Sequence, residues 1–246
     1  MVKTDNLARR LLVVVDHTEL QRLTRRYATR RQVDHYLQSR GHTLAAFEAE
    51  EALQQACVQA IYQRAPKALN VQLLQRDQLS AFAFRPGDIV ATVGRDGLVA
   101  NTLRWLDGQP LIGLNPDPAT HDGVLCPFGP GDVEPLLARV LAEAYPFETI
   151  TLLEARFDSG ERLLAANDFF IGPREQSTLR YELHQGPRGE AQMSSGVVAA
   201  TGLGSTAWYR SILQGARALV GGANPNPPGP AAPPRGGLWS ASPSSR

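Results

Sequence analysis

The chain has 246 residues, 43% of them apolar, with 25 basic and 24 acidic side chains and a formal net charge of +1. That apolar content can fill one large core or two modest ones and excludes a disordered chain, while the near-neutral balance gives no case for a nucleic-acid or membrane partner, so any anionic ligand has to be held locally. The two cysteines, Cys57 and Cys126, have no metal-ligand spacing, no apolar run approaches the ~20 residues of a membrane span, and Met1 to Arg10 lacks a signal-like apolar core, all of which points to a reducing cytoplasm.

Leu11 to Val15 is a short apolar run ending at Asp16, the pattern of a strand buried on both faces of a parallel sheet. From Gln21 to Arg31 come Arg22, Arg25, Arg26, Arg30 and Arg31 with no acid and few aromatics, which reads as a solvated connector or helix face. Thr43 to Arg64 places Phe47, Glu50, Leu53, Cys57, Ala60 and Ile61 largely at three- and four-residue spacing, predicting a long amphipathic helix that Pro66 ends and on which Cys57 is a buried packing residue. Strands follow at Asn70 to Leu74 and, after the Pro86-Gly87 turn, at Asp88 to Val93. Another is expected at Leu111 to Leu114, and a helix from about Val133 to Ala144.

Alternation of strand and helix then stops. Thr149 to Phe157, Glu161 to Ala166, Phe169 to Ile171, Leu179 to His184 and Val197 to Ala200 are short and separated by Gly, Asp, Asn or Pro, as in a β-rich second domain beginning near Tyr145-Pro146. Trp208 to Val220 reads as a helix. Beyond Gly221 the composition falls to Pro, Gly, Ala and Ser, so 221–246 is expected to be a disordered tail after an α/β domain at 1–145 and a β-rich domain at 146–220.

Two segments carry candidate chemistry. In the first, the strand ending at Val93 runs into Gly94-Arg95-Asp96-Gly97 and then a helix. Glycines at a strand's carboxyl end let backbone amides approach phosphates, and Asp96 among them can take a hydroxyl proton or help hold Mg²⁺ in phosphoryl transfer. In the second, Val197 to Ala200 runs through Thr201-Gly202-Leu203-Gly204-Ser205-Thr206-Ala207 into Trp208, offering hydroxyls to a ribose or phosphate. Each segment alone also reads as ordinary structure, a β-turn in one case and a helix N-cap in the other.

Together these segments resemble the NAD kinase family, whose usual signatures are Gly-Gly-Asp-Gly and a Thr-Pro-Thr-Gly-Ser-Thr-Ala-Tyr-like stretch. Leu111-Ile112-Gly113-Leu114-Asn115-Pro116-Asp117-Pro118 with Gly123-Val124-Leu125-Cys126 is similar to the mitochondrial-type branch and its bacterial relatives, and Asn167-Asp168 stands where the family has an Asn-Glu dyad. The resemblance spans roughly residues 88 to 210. It implies an α/β domain with a parallel sheet and a β-rich C-terminal domain with a cleft between them, ATP and Mg²⁺ as cofactors, NAD as substrate, and a homo-oligomer that is at least a dimer. It implies Asp96 as the base for the 2′-hydroxyl of the adenosine ribose of NAD, with Gly94 and Gly97 lining phosphates and Asn115 shaping the pocket. Asn167 and Asp168 would bind ribose hydroxyls. Thr201, Gly204, Ser205, Thr206 and Ala207 would lie along the adenine side of NAD, with Trp208 offering a stacking face in place of tyrosine.

Two departures matter. Arg95 replaces the second glycine of the motif; if that position needs a positive φ the arginine strains the turn and impairs the site, and otherwise it can add a contact to phosphate. Relatives continue past the Gly-Ser-Thr helix with further strands, so the second domain is expected to be incomplete and the tail after about Gly221 to reflect a frameshifted or truncated gene. The rival readings are a catalytically impaired dinucleotide-binding relative and a lipid kinase sharing the Gly-Gly-Asp-Gly turn.

Overall fold

A computed structural model describes residues 9–144, 147–220 and 238–242. Contacts divide the chain into two units, the first running to Ile150 and including 238–242, the second starting at Thr151. The division falls a few residues beyond the expected Tyr145-Pro146 boundary, which lies outside the described residues. The strand Glu148–Thr151 is the reason: it joins the sheet of the first unit instead of opening the second.

In the first unit, β1 (Arg10–Val15) is the apolar run read from the sequence, with Leu11 to Val14 fully buried. Two short helices follow, α1 (Glu19–Arg26) and α2 (Arg30–Gln38), each opened by a Thr-x-x-Gln capping box, Thr18 with Gln21 and Thr29 with Gln32. Their arginines are all exposed, as expected of a solvated helix face, while Leu20, Leu23, Val33 and Leu37 gather in a small cluster of their own. The helix α3 (Leu44–Arg64) stops with Ala65 in an extended conformation, the backbone that a following proline favours. Its apolar stripe is divided: Phe47 packs on the α1/α2 cluster, Leu53 is exposed, and only Cys57 and Ile61 are buried against the sheet.

The chain continues through β2 (Asn70–Gln75), a 3₁₀ turn at Arg76–Ala81, β3 (Ile89–Val93), α4 (Asp96–Leu103), β4 (Leu111–Leu114), α5 (Val133–Leu141) and β5 (Glu148–Thr151). Four strands pair in parallel in the order β2-β1-β3-β4. The segment Leu238–Ser242 falls within the stretch expected to be disordered. It forms a strand lying antiparallel to β4, with Leu238 opposite Ile112, and β5 completes the sheet beyond it. The rest of 221–246 lies outside the described residues.

Alternate residues of the parallel strands bury on opposite faces. Leu11, Val13, Val15, Ile89, Ala91 and Val93 pack with α3 and α5. Leu12, Val14, Val90 and Thr92 are equally buried, and α4 rests on β3 and β4 without entering that cluster, so it covers the other face. The helix α3 reaches the sheet after β1 on one side and α4 leaves β3 on the other. The carboxyl ends of the adjacent strands β1 and β3 are therefore a topological switch point, where open α/β sheets form ligand crevices.

The second unit is β-rich, as expected. Its described residues form three antiparallel pairs, β6 (Leu153–Arg156) with β7 (Arg162–Ala165), β8 (Asp168–Ile171) with β11 (Val197–Ala200), and β9 (Leu179–Gln185) with β10 (Arg188–Ser194), followed by a 3₁₀ turn at Gly204–Thr206 and α6 (Trp208–Val220). The strand β10 has no counterpart in the sequence reading, because Arg-Gly-Glu-Ala-Gln-Met-Ser lacks apolar alternation. It forms as the partner of β9 across a turn in which Gly186 has φ 58°.

Candidate active site

The Gly94-Arg95-Asp96-Gly97 segment sits at the switch point. The amide of Gly94 donates to the Leu114 carbonyl at 2.9 Å, which extends the β3–β4 pairing one residue and leaves Asp96 as the first residue of α4. Arg95 is the N-cap, with φ −100° and ψ 170°. That is ordinary extended backbone, so the strain expected from an arginine at the second glycine position does not arise. Its side chain projects to α3, where Nη2 lies 3.1 Å from Glu50 Oε1. No side chain caps α4, which leaves its first-turn amides to another acceptor.

The carboxylate of Asp96 points into the loop after β4. Oδ1 accepts from the amides of Leu125 (2.9 Å) and Cys126 (3.2 Å) and from Cys126 Sγ at 3.1 Å; among the described residues Oδ2 accepts only from the amide of Val124, at 3.0 Å. Two glycines allow the loop this close. A Cβ on Gly113 would collide with the Leu125 carbonyl oxygen, and one on Gly123 with the backbone and sulfur of Cys126. Asn115, 4% exposed, donates from Nδ2 to the His121 carbonyl at 2.7 Å and accepts from the Asp117 amide at 3.0 Å, so it braces this loop with both ends of its amide.

A cleft of about 560 Å³ opens beside the motif, lined by Gly94, Arg95, Gly97, Asp16, Arg22 and Arg76 among others. Asp16, at the end of β1, accepts from Arg22 and Arg76, both at 2.9 Å. Burial pushes its carboxyl up, but hydrogen bonds and charge from Arg76 and Arg22 outweigh that and hold it below the usual carboxylate range. The sequence reading missed this cluster; the signal for it was an acid directly after a buried parallel strand, the position from which ligand crevices are lined. Among the described residues no group of three or more His, Cys, Asp and Glu gathers as a metal site.

In the second unit the structure joins the other two motifs. Ala200 of β11 lies opposite Asp168 of β8, and the following turn closes onto Ala166 and Asn167. Thr201, 8% exposed, donates its hydroxyl to the Ala166 carbonyl at 2.6 Å and accepts from the Gly204 amide at 2.9 Å, which commits it to holding the turn. A Cβ on Gly204 would collide with the Asn167 carbonyl oxygen, so glycine is needed for that closure. Ser205 and Thr206 donate their hydroxyls to the carbonyls of Gly202 (2.6 Å) and Leu203 (2.8 Å), keeping lone pairs for a donor. Ala207 ends the 3₁₀ turn. The side chains of Asn167 and Asp168 are partly exposed. Trp208, 47% exposed, lies 5.7 Å from the Phe170 ring and presents open aromatic surface.

No family model matches the chain. It is 31% identical over 150 residues to an NAD kinase of Hahella chejuensis, covering 58% of this chain and 48% of that protein. It is 32% identical over 132 residues to an NAD kinase of Marinobacter nauticus, covering 50% and 44%. The chain thus spans about half the length of the curated relatives it matches. Among solved structures it is similar to a yeast NADH kinase complexed with NADH, with a TM-score of 0.51, 15% identity, and coverage of 89% of this chain and 63% of that one, a likeness of fold.

Proposed function

We propose that this chain, which is similar in sequence to NAD kinases over about half their length and in fold to an NADH kinase, transfers the terminal phosphoryl group of ATP to the 2′-hydroxyl of the adenosine ribose of NAD, giving NADP. The observation that supports it most is the placement of Asp96 at the N-terminus of α4, between Arg95 and Gly97 of the cleft lining, with Oδ2 accepting a single donor among the described residues. The ribose oxygen attacks the γ-phosphorus and its proton passes to Asp96 Oδ2. The bond from that phosphorus to the bridging oxygen breaks, releasing ADP.

The α4 amides and Arg22, Arg76 and Arg95 are positioned to meet phosphate charge. Asn167, Asp168, Ser205, Thr206 and Trp208 supply the polar and aromatic surface for the dinucleotide. Magnesium bound through a nucleotide's phosphates needs one or two carboxylates and no protein cage, which fits a cleft lined by Asp16, Glu19 and Glu50; when bound it would neutralise charge developing on the phosphoryl oxygens. The reading includes a chain acting as at least a homodimer in the cytoplasm, and among the described residues no helix is long and apolar enough to cross a membrane.

The test is an assay with ATP, Mg²⁺ and NAD, reading NADP with an NADP-specific dehydrogenase. Asp96→Asn should lower kcat by about 10²–10⁴-fold, the usual range for losing a positioned proton acceptor. Turnover unchanged by that substitution, or a folded wild-type chain that binds NAD without forming NADP, would overturn the reading.

A further inference from the structure

We propose that Cys126 is a positioning residue for Asp96, its thiol and the loop amides locking Oδ1 so that the transferred proton is received at Oδ2. The inference rests on the reading of Asp96 as the base.

A carboxylate oxygen offers two lone pairs in its plane. Among the described residues Oδ1 meets three donors, the amides of Leu125 and Cys126 and the Cys126 thiol, whereas Oδ2 meets only the amide of Val124. One in-plane acceptor position therefore stays open on Oδ2 and none on Oδ1. The thiol is a bound donor, not a nucleophile: Cys126 is 2% exposed, and burial first, then the hydrogen bond and charge of Asp96, push its acidity far from the thiolate range. Cys57 is the internal contrast. It too is buried, its thiol pushed up to about 12, but by burial alone, in the apolar cluster between α3 and the sheet. One cysteine fills space, and the other also aims a donor at a carboxylate whose free oxygen has to face a hydroxyl within hydrogen-bond reach.

Two readouts separate positioning from packing. Cys126→Ala should lower kcat by roughly tenfold, the equivalent of one lost hydrogen bond of about 1.4 kcal/mol, and leave KM for NAD within about twofold. Cys126→Ser, which restores a donor, should recover most of the loss. In a Cys57→Ala background the only S–H stretching band is that of Cys126, and Asp96→Ala should move it to the higher frequency of a free thiol; this readout needs no turnover and no folded Cys126→Ala. An unmoved band overturns the inference, as does wild-type kcat in a folded Cys126→Ala or an equal loss in Cys126→Ser. If Asp96→Asn is inactive while Cys126→Ala is fully active, only this inference fails. Full turnover by Asp96→Asn brings down the base reading as well.

Discussion

Arg95 is the residue at which backbone geometry decides between two readings of the motif. With φ at −100° it gains nothing from being glycine, and its side chain forms an exposed pair with Glu50, the two side chains 61% and 49% accessible. Such a pair contributes between about 0 and 1 kcal/mol, and glycine adds unfolded-chain entropy that folding has to overcome. Restoring the family's glycine with Arg95→Gly should therefore lower stability slightly, by up to about 1 kcal/mol, in urea unfolding. A gain in stability would mean that the arginine strains the turn. The identity of this residue is written in the sequence and its φ is not, which is why the departure could be read both ways.

At the scale of elements, the loop after β4 matters as much as the helix it serves. Gly113→Ala sets a methyl group against the Leu125 carbonyl, where backbone has to move, and should cost about 1–3 kcal/mol while pulling the 124–126 amides off Asp96. Gly97→Ala meets nothing within 4 Å at a helical position and should be neutral or stabilising by up to about 1 kcal/mol. Equal thermal shifts in the two variants would count against the close approach. The pair Asp16 and its arginines ties α1 and the 3₁₀ turn to the end of β1. Because the folded carboxyl is held below its unfolded value, its contribution is fully present above a pH of about 4 and is lost as pH falls through the folded value. The stability difference between the wild type and Asp16→Asn should accordingly be larger at pH 7 than at pH 3, and a difference independent of pH would refute the latch.

Much of this level was legible. Buried strands β1, β3 and β4 announce themselves as unbroken apolar runs, and Pro66 marks the end of α3. The helices α1 and α2 were hidden because their signal is two capping boxes of three or four residues inside an arginine-rich stretch. The donors around Asp96 were hidden because three of the four are backbone amides, which carry no residue identity. Asn115 and Thr201, expected to shape the pocket and to lie along the dinucleotide respectively, both hydrogen-bond to loop backbone, a role that residue type alone does not reveal.

For the molecule as a whole, the two units differ in how their apolar surface is used. In the first, β1, β3 and β4 are buried on both faces, with Leu11, Leu12, Val13, Val14, Ile89, Val90 and Val93 at 0% exposure. In the second, Leu152 and Ala166 are the buried apolar residues among those described, while Phe157, Leu163, Phe170, Ile171, Leu183 and Met193 are each at least 47% exposed. Every described strand there has one antiparallel partner, so backbone amides on the outer side of each pair lack a ladder bond. Isolated two-stranded pairs are marginal in water, and local opening follows contact density. Hydrogen exchange should resolve this directly: amides of β1, β3 and β4 should be the slowest in the chain, and those of the β9–β10 hairpin faster by about a hundredfold or more, equivalent to an opening free energy lower by about 3 kcal/mol. NAD should slow exchange in the 167–168 and 201–208 segments if those residues hold the dinucleotide, since a ligand bound to the native state suppresses opening in proportion to its occupancy. Exchange in β9–β10 as slow as in β1 would show that the second unit has a core of its own strength, and exchange at 167–168 and 201–208 unchanged by saturating NAD would remove them from the binding surface.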